Sequence, residues 1–187
     1  MAEKTGNYVA LLRGVNVGGK NRLPMVELAA MFKAAGCLDV RTYIQSGNVV
    51  FKASMKVAER IPELIATGIS KQFGFGSPVV LRSAEELAAV IGNNPYVAAG
   101  ADAEALHVMF LADTPAQGNI ATLDEKRSLP DEFTVRNKEV YLRCPNGLGR
   151  TKLTNDYFDR RLSTVSTVRN WRTVLKLLEM VEMASPG

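Results

Sequence analysis

The chain has 187 residues, of which 47% are hydrophobic, with 23 Lys and Arg against 19 Asp and Glu and one His. This length and apolar content suffice for one packed domain or two small ones. No run approaches the roughly 18 consecutive apolar residues that a membrane span requires. The first residues also lack the apolar core of a secretion signal, so we predict a cytoplasmic protein.

Positive charge is concentrated at the two ends of the chain. Residues 1–53 hold seven Lys and Arg against three Asp and Glu, and residues 145–187 hold seven against four. The middle segment, residues 54–144, holds nine against twelve. This segregation favours an anionic partner more than the net charge of +4 does by itself.

The first half of the chain predicts the order β-α-β-β-α-β, which is that of a ferredoxin-like sandwich. The predicted elements are a strand at 8–14, a helix at 24–36, a hairpin at 39–53 that turns at Gln45–Asn48, a helix at 55–73 in which Pro62 marks the start or a kink, and a strand at 77–83. We expect the hairpin turn to lie at the opposite end of the sheet from the first β–α loop. Ser46 would then share no site with Lys20.

The second half is less regular and shows no internal repeat. The predicted elements are a helix at 84–92, a strand at 104–112, a weak helix at 114–128, a hairpin at 133–144 that turns at Asn137–Lys138, a short helix at 154–162 and a long helix at 168–183. The last helix should bury Val168, Trp171, Leu175, Leu178 and either Val181 or Glu182, and it should expose a charged stripe that begins at Arg169. We therefore predict an α+β protein, with a ferredoxin-like subdomain at 1–95 and a smaller α/β subdomain at 96–187. The carboxy-terminal helices of the second would pack back on the first.

Four motifs support a family resemblance. They are LLRGVNVGGKN, YIQSGNVVF, GRTKLTNDYF and VRNWRTVLKL, and they occur in this order over most of the chain. Together they resemble the bacterial domain of unknown function 1697, over about residues 8–180. The resemblance implies two α/β subdomains, the first ferredoxin-like, and no established activity or ligand.

The loop at residues 13–22 joins the first strand to the first helix and carries three cations without an acid. Its glycines allow backbone amides to approach a ligand closely, and a helix N-terminus favours anions. The spacing fits neither GxGxxG nor GxxxxGK[ST]. Two interpretations stay open: an anion or nucleic-acid contact, or a polar loop whose Asn16 and Asn21 satisfy its own turns.

A second basic loop runs from Arg143 to Lys152 and leads to Thr154, which has the side chain of a helix N-cap. The VRNW motif that follows adds two further polar residues. The predicted anion-binding residues are Arg13, Asn16, Gly18, Gly19, Lys20, Asn21, Arg22, Gly149, Arg150, Lys152, Arg169 and Asn170. We expect the two loops to converge on one electropositive cleft.

Residues for other chemistries are scarce. The single histidine, His107, lies in an apolar strand and is predicted to be structural, while Cys37 and Cys144 are predicted to be buried hydrophobic residues. No metal or other cofactor is expected. The favoured function is the binding of nucleic acid or a nucleotide through the two loops. The alternatives are an enzyme acting on a small phosphorylated or carboxylated metabolite and a protein-interaction module.

Overall fold

The computed structural model describes residues 5–183, which form two four-stranded antiparallel sheets with associated helices. The predicted α+β class is therefore confirmed. The described residues divide into two compact units: unit 1 runs to Ala88 and resumes at Lys176, and unit 2 is Ala89–Leu175. The domain boundary predicted between residues 95 and 96 stays a prediction.

Unit 1 contains the sheet β2-β3-β1-β4. Its elements are β1 (Thr5–Leu12), α1 (Met25–Ala34), β2 (Leu38–Tyr43), β3 (Asn48–Ser54), α2 (Met55–Ala58), α3 (Ile61–Phe73) and β4 (Val79–Ser83), and α4 (Ala84–Gly92) continues from it into unit 2. The predicted helix at 55–73 is thus two helices. Pro62 lies in the first turn of α3, where its missing N–H costs nothing, so it marks a helix start.

The core of unit 1 forms where the central strands meet α1 and α3. Residues 9–12 of β1 are fully buried, so the side chains on both faces of this strand are shielded from solvent. Leu28 and Phe32 of α1 and Ile65 and Ile69 of α3 pack into the same cluster. Burying one such side chain contributes about 1.5–3 kcal/mol.

Unit 2 contains the sheet β6-β7-β5-β8. Its elements are α5 (Pro95–Ala98), β5 (Leu106–Leu111), α6 (Gln117–Ile120), β6 (Glu132–Arg136), β7 (Glu139–Arg143), α7 (Asn155–Leu162) and β8 (Ser166–Asn170), and α8 (Trp171–Met183) continues from it into unit 1. The hairpin predicted at Asn137–Lys138 is confirmed. The weak helix predicted at 114–128 is reduced to the single turn of α6.

The start of the terminal helix was predicted wrongly. Residues 166–170 form β8, which pairs with β5 so that His107 lies opposite Asn170. The β-branched Thr167 and Val168 suit a strand, and the free edge of β5 supplies a partner for it. The helix begins only at Trp171, where the Asn170 side chain accepts a hydrogen bond from the Thr173 amide at 2.8 Å.

The later start also changes the buried face of α8. Trp171, Val174, Leu177 and Val181 are buried, whereas Leu175 is 42% exposed. The predicted row through Leu175 is therefore wrong. The predicted row begins at Val168, but Val168 belongs to a strand, in which side chains alternate with a period of two, so the helical spacing does not apply to it.

The two units share one topology. The order β1-α1-β2-β3-α3-β4 corresponds to β5-α6-β6-β7-α7-β8, and the two sheets have the same strand order. The registers correspond as well, since Val9 pairs with Arg82 in unit 1 and Val108 pairs with Arg169 in unit 2. The chain therefore contains an internal structural repeat that the sequence analysis did not detect.

No helix within residues 5–183 has both the length and the apolar composition needed to cross a bilayer. Both cysteines are free and buried, as predicted. Burial raises the pKa of the Cys37 thiol to about 11. Burial is also the main reason that the pKa of the Cys144 thiol is raised to about 11. Because the thiolate is the reactive form, neither residue is suited to be a nucleophile near neutral pH.

Candidate anion-binding site

The first basic loop, residues 13–22, is folded back on itself. The Asn16 amide donates to the Asn21 carbonyl at 3.0 Å, and the Lys20 amide donates to Val17 at the same distance. The Asn21 side chain donates to the Gly14 carbonyl at 2.8 Å. Buried Val15 anchors the loop to the core. The chain can turn this tightly because several of its glycines and asparagines have positive φ.

Asn16 holds the loop to two neighbouring segments. Its Nδ2 donates to the carbonyl oxygens of Leu23 at 2.9 Å and Gln45 at 2.8 Å, while its Oδ1 accepts from the Leu23 amide at 2.8 Å. These contacts use the side chain for the loop's own structure. Asn16 and Asn21 thus match the simpler of the two interpretations left open by the sequence.

The glycines and cations of this loop are open to solvent. Lys20 and Arg22 are exposed, and neither has an ion-pair or side-chain hydrogen-bond partner among residues 5–183. Gly18 and Gly19 are also exposed, and no heavy atom of residues 5–183 lies within 4 Å of the position that a Cβ would occupy. Arg13 lies deeper, at intermediate exposure. The outer half of the loop therefore combines accessible backbone with uncompensated positive charge.

The expected separation of this loop from the β2–β3 turn was wrong. The Leu12 amide donates to the Gly47 carbonyl at 2.9 Å, and Asn16 contacts Gln45 directly. The reason is strand direction: β3 runs antiparallel to β1 with Leu11 opposite Asn48, so β3 begins where β1 ends. The turn that precedes β3 therefore lies beside the β1–α1 loop, at the same end of the sheet.

The second basic loop follows β7 in unit 2 and is held in place by hydrogen bonds to Arg127 and Ser128, which precede it in the sequence. The Lys152 amide donates to Ser128 Oγ at 2.9 Å, and Arg127 Nε donates to the Lys152 carbonyl at 2.9 Å. Thr154 caps α7, as predicted, by accepting from the Tyr157 amide at 3.2 Å. Within the described residues, the exposed side chains of Arg150 and Lys152 have no ion-pair partner.

Three arginines surround a cavity of about 330 Å³ next to this loop. The guanidinium of Arg127 lies 4.0 Å from the centre of the Tyr157 ring, and that of Arg161 lies 5.9 Å from it. The lining residues are Arg127, Thr154, Asp156, Tyr157, Arg160 and Arg161. The lining therefore contains three arginines and one acidic residue, so the cavity has excess positive charge.

The arginines of this cavity were missed by the sequence analysis. Arg127 is 25 residues from Lys152, and only the fold brings them together. Arg160 and Arg161 form an adjacent basic pair in the last turn of α7, a signal that was visible in the sequence. A cluster of this kind combines residues from a turn, a loop and a helix, which is why no single motif contains it.

Arg169 does not occupy the exposed stripe that was expected for it. It lies on β8 with 8% exposure, and its Nη1 donates to Thr167 Oγ1 and to the Val168 carbonyl, both at 2.8 Å. Burial lowers the pKa of Arg169 to about 10. Asn170 is exposed and caps α8. Arg169 is thus a buried residue of the sheet.

The predicted residues fall into two groups. Unit 1 contains Arg13 to Arg22, and unit 2 contains Gly149, Arg150, Lys152, Arg169 and Asn170. The predicted convergence of the two loops stays a prediction. Within residues 5–183, no three His, Cys, Asp or Glu side chains gather closely enough to hold a metal ion.

The fold defines the class of this protein, which is a mixed α+β chain with two four-stranded antiparallel sheets. Over residues 6–141, which contain the first two of the four motifs, the chain matches the family described as protein of unknown function (DUF1697), and it belongs to that family, as predicted. None of the curated proteins matches it.

A solved structure has a similar fold. It is that of the conserved bacterial protein SP0830 from Streptococcus pneumoniae, which is 23% identical in sequence. The similarity covers 96% of this chain and 99% of that chain, with a TM-score of 0.73. At this level of identity the similarity supports the fold alone.

Proposed function

We propose that this protein binds a phosphate-bearing partner, nucleic acid or a nucleotide, through its two basic loops. The observation that carries the proposal is the arginine cavity in unit 2, whose lining includes three arginines and a single acidic residue, with Arg127 hydrogen-bonded to Lys152. Guanidinium groups bind phosphate oxygens in pairs, and their charge is permanent at physiological pH.

The contacts that we propose are made by loops and not by the face of a sheet. Nucleic-acid modules that stack bases on a sheet need exposed aromatic rings on the central strands. In unit 1 the ring of Phe51 is fully buried, and Tyr8 stacks on it at 5.8 Å. Exposed cations such as Lys20, Arg22 and Arg150 suit contacts to the sugar–phosphate backbone instead.

The residues of the proposed contacts have different roles. Lys20, Arg22, Arg150, Lys152 and Arg160 would supply charge from exposed positions. The exposed glycines at 18, 19 and 149 would allow the backbone to approach the ligand. We assign Asn16 and Asn21 to holding the first loop in shape, and we leave the buried Arg169 out of the contact.

The test is fluorescence anisotropy with a labelled single-stranded RNA, the matching DNA strand and the duplex, over a range of salt concentrations. Lys152→Gln combined with Arg160→Gln should weaken binding at least about tenfold near 50 mM salt. The slope of log affinity against log salt should become less steep by about one to two, because binding releases fewer counterions when two phosphate contacts are missing. Lys20→Gln with Arg22→Gln tests unit 1 in the same way.

The matched control is Lys56→Gln combined with Lys71→Gln. It removes the same charge from exposed positions outside both loops. Its affinity should stay within about twofold of the wild type, since distant surface charges are screened. Absence of binding at low salt, or an equal loss in the control, would contradict the proposal.

A nucleotide is the second form of the same proposal. The cavity volume of about 330 Å³ lies at the lower end of the range for small-molecule sites, about 300–1,000 Å³. A thermal-shift screen with nucleotides and sugar phosphates distinguishes the two forms. If the ligand is a free nucleotide, saturation with one nucleotide would raise the Tm in the absence of any nucleic acid. The Arg160→Gln variant would show no such increase in Tm.

We also propose that both units are ferredoxin-like. The support is the order β-α-β-β-α-β together with the arrangement 2-3-1-4 of the strands within each sheet. An experimental structure in which β1 or β5 lay at the edge of its sheet would contradict this assignment.

A further inference from the structure

A second cavity, of about 240 Å³, lies wholly within unit 2 and is not part of the arginine cavity. Its lining residues are Ala103, Glu104, His107, Asn170 and Arg172. They come from the turn that precedes β5, from β5 itself, from the end of β8 and from the first turn of α8. This volume is below the range of drug-sized sites, about 300–1,000 Å³, and suits a small metabolite.

The internal repeat allows this part of unit 2 to be compared with unit 1. The position of His107 in unit 2 corresponds to that of Tyr8 in unit 1, and each lies opposite a residue of the neighbouring strand. In unit 1 that pair is Tyr8 with Phe51, whose rings stack, whereas in unit 2 it is His107 with Leu142. The pair at this position is therefore smaller in unit 2 than in unit 1.

Among residues 5–183, the Nδ1 atom of His107 is a buried nitrogen without a hydrogen bond of good geometry. The residue as a whole is 8% exposed. Burial lowers the pKa of His107, although the nearby Ala105 backbone partly opposes this effect. The ring is therefore neutral at neutral pH, with one N–H donor and one acceptor lone pair, and it is one of the groups that line the cavity.

The mouth of the cavity carries one charge of each sign. Arg172 Nη2 contacts Glu104 Oε1, and the two side chains are 75% and 65% exposed. An exposed ion pair contributes little, so it can open at low cost to admit a ligand. The N-terminus of α8 adds a preference for an anionic group near Arg172. Asn170 uses its Oδ1 to cap the helix, which leaves its amide group as a donor.

We infer that this cavity binds a small zwitterion of the free α-amino acid class. The ligand carboxylate would pair with Arg172 at the start of α8, and the ligand ammonium would pair with Glu104. The ligand side chain would enter the cavity and exchange a hydrogen bond with His107. This arrangement matches each charge at the mouth with an opposite charge on one small molecule.

The experiment is isothermal titration calorimetry with each common free amino acid, after a thermal-shift survey of the same set. At least one amino acid should bind, and its N-acetyl and carboxamide forms should each bind at least about tenfold more weakly. Glu104→Gln and Arg172→Gln should each cause a comparable loss. Both residues are exposed, so these variants should fold even if substitution of the buried His107 disrupts the unit.

Matched controls are Glu179→Gln, on the same helix, and Arg60→Gln, both exposed and outside the cavity. They should bind as the wild type does. The inference is overturned if no amino acid binds at about 10 mM, if acetate or methylamine binds as tightly as the amino acid, or if inorganic phosphate displaces it. Unchanged binding in both Glu104→Gln and Arg172→Gln would equally overturn it. None of these results depends on nucleic-acid binding.

Discussion

Arg82 and Arg169 occupy the same position in the two units. Arg82 pairs with Val9 across the first sheet, and Arg169 pairs with Val108 across the second. Each arginine is buried, and the Nη1 of each donates to the carbonyl oxygen of the preceding residue at 2.8 Å. A charged side chain buried at one position in both halves of a repeat indicates a common structural role.

The first prediction concerns these two arginines. Arg169→Lys should lower the free energy of unfolding by about 1–3 kcal/mol, because a single ammonium cannot reproduce the planar set of donors and the buried acceptors lose a partner. Arg82→Lys should have an effect of similar size. Urea denaturation measures both, with the exposed Arg60→Lys as the control. A large loss at one position and none at the other would argue against a shared role.

The second prediction tests whether Asn16 holds the first basic loop in shape. Asn16→Ala removes three hydrogen bonds, to Leu23 and Gln45, and should cost about 1–3 kcal/mol of unfolding free energy. Gln45→Ala is the matched control, because Gln45 takes part through its backbone carbonyl. It should change stability by less than about 0.5 kcal/mol. Equal stability of the two variants in urea would show that these hydrogen bonds contribute little.

The third prediction compares two glycines that both have positive φ. A Cβ on Gly47 would lie 2.7 Å from Leu12 Cβ and 2.8 Å from Val15 Cγ2, whereas a Cβ on Gly18 would have no atom within 4 Å. Gly18→Ala should cost only the left-handed backbone, about 1–2 kcal/mol. Gly47→Ala adds overpacking and should cost about 1–3 kcal/mol more. Thermal unfolding of the two variants measures the difference, which should vanish only if the β2–β3 turn can move away from Leu12.

The fourth prediction is a pH dependence of stability that comes from the single histidine. Burial lowers the pKa of His107 from its ordinary value of 6.5, so the folded state binds fewer protons than the unfolded state below that pH. The contribution of His107 to the free energy of unfolding is therefore complete above about pH 6.5. This contribution is lost as the pH falls through the folded pKa, by at most about 1.4 kcal/mol per pH unit.

Urea denaturation of the wild type and of His107→Gln between about pH 7.5 and 5.5 checks the sign. The difference between the two proteins should shrink at the acid end, because only the wild type loses stability through this imidazole. An NMR titration of the histidine ring should have its midpoint below 6.5. A midpoint above that value would mean that folding stabilises the charged form of the ring, which is the opposite of the expected effect.

Local sequence signals predicted most of the helices and strands, because each of these signals depends on only a few neighbouring residues. Pro62 marked the start of α3, Thr154 marked the cap of α7, and Asn137–Lys138 marked a hairpin turn. These signals act through backbone geometry and nearby amides, so they operate in almost any tertiary setting. The two basic loops were visible for the same reason, as short segments with charge and glycine.

Tertiary contacts decided the features that depend on distant residues. Residues 166–170 contain two β-branched residues, Thr167 and Val168, but this local preference is weak, and pairing with β5, some 60 positions earlier, made them a strand. The same pairing buried Arg169. The arginine cavity needed Arg127 to be held against Lys152, and the repeat became visible only when both sheets could be compared. Long-range pairing determines such features because the free energy of a strand or a cavity depends on its neighbours.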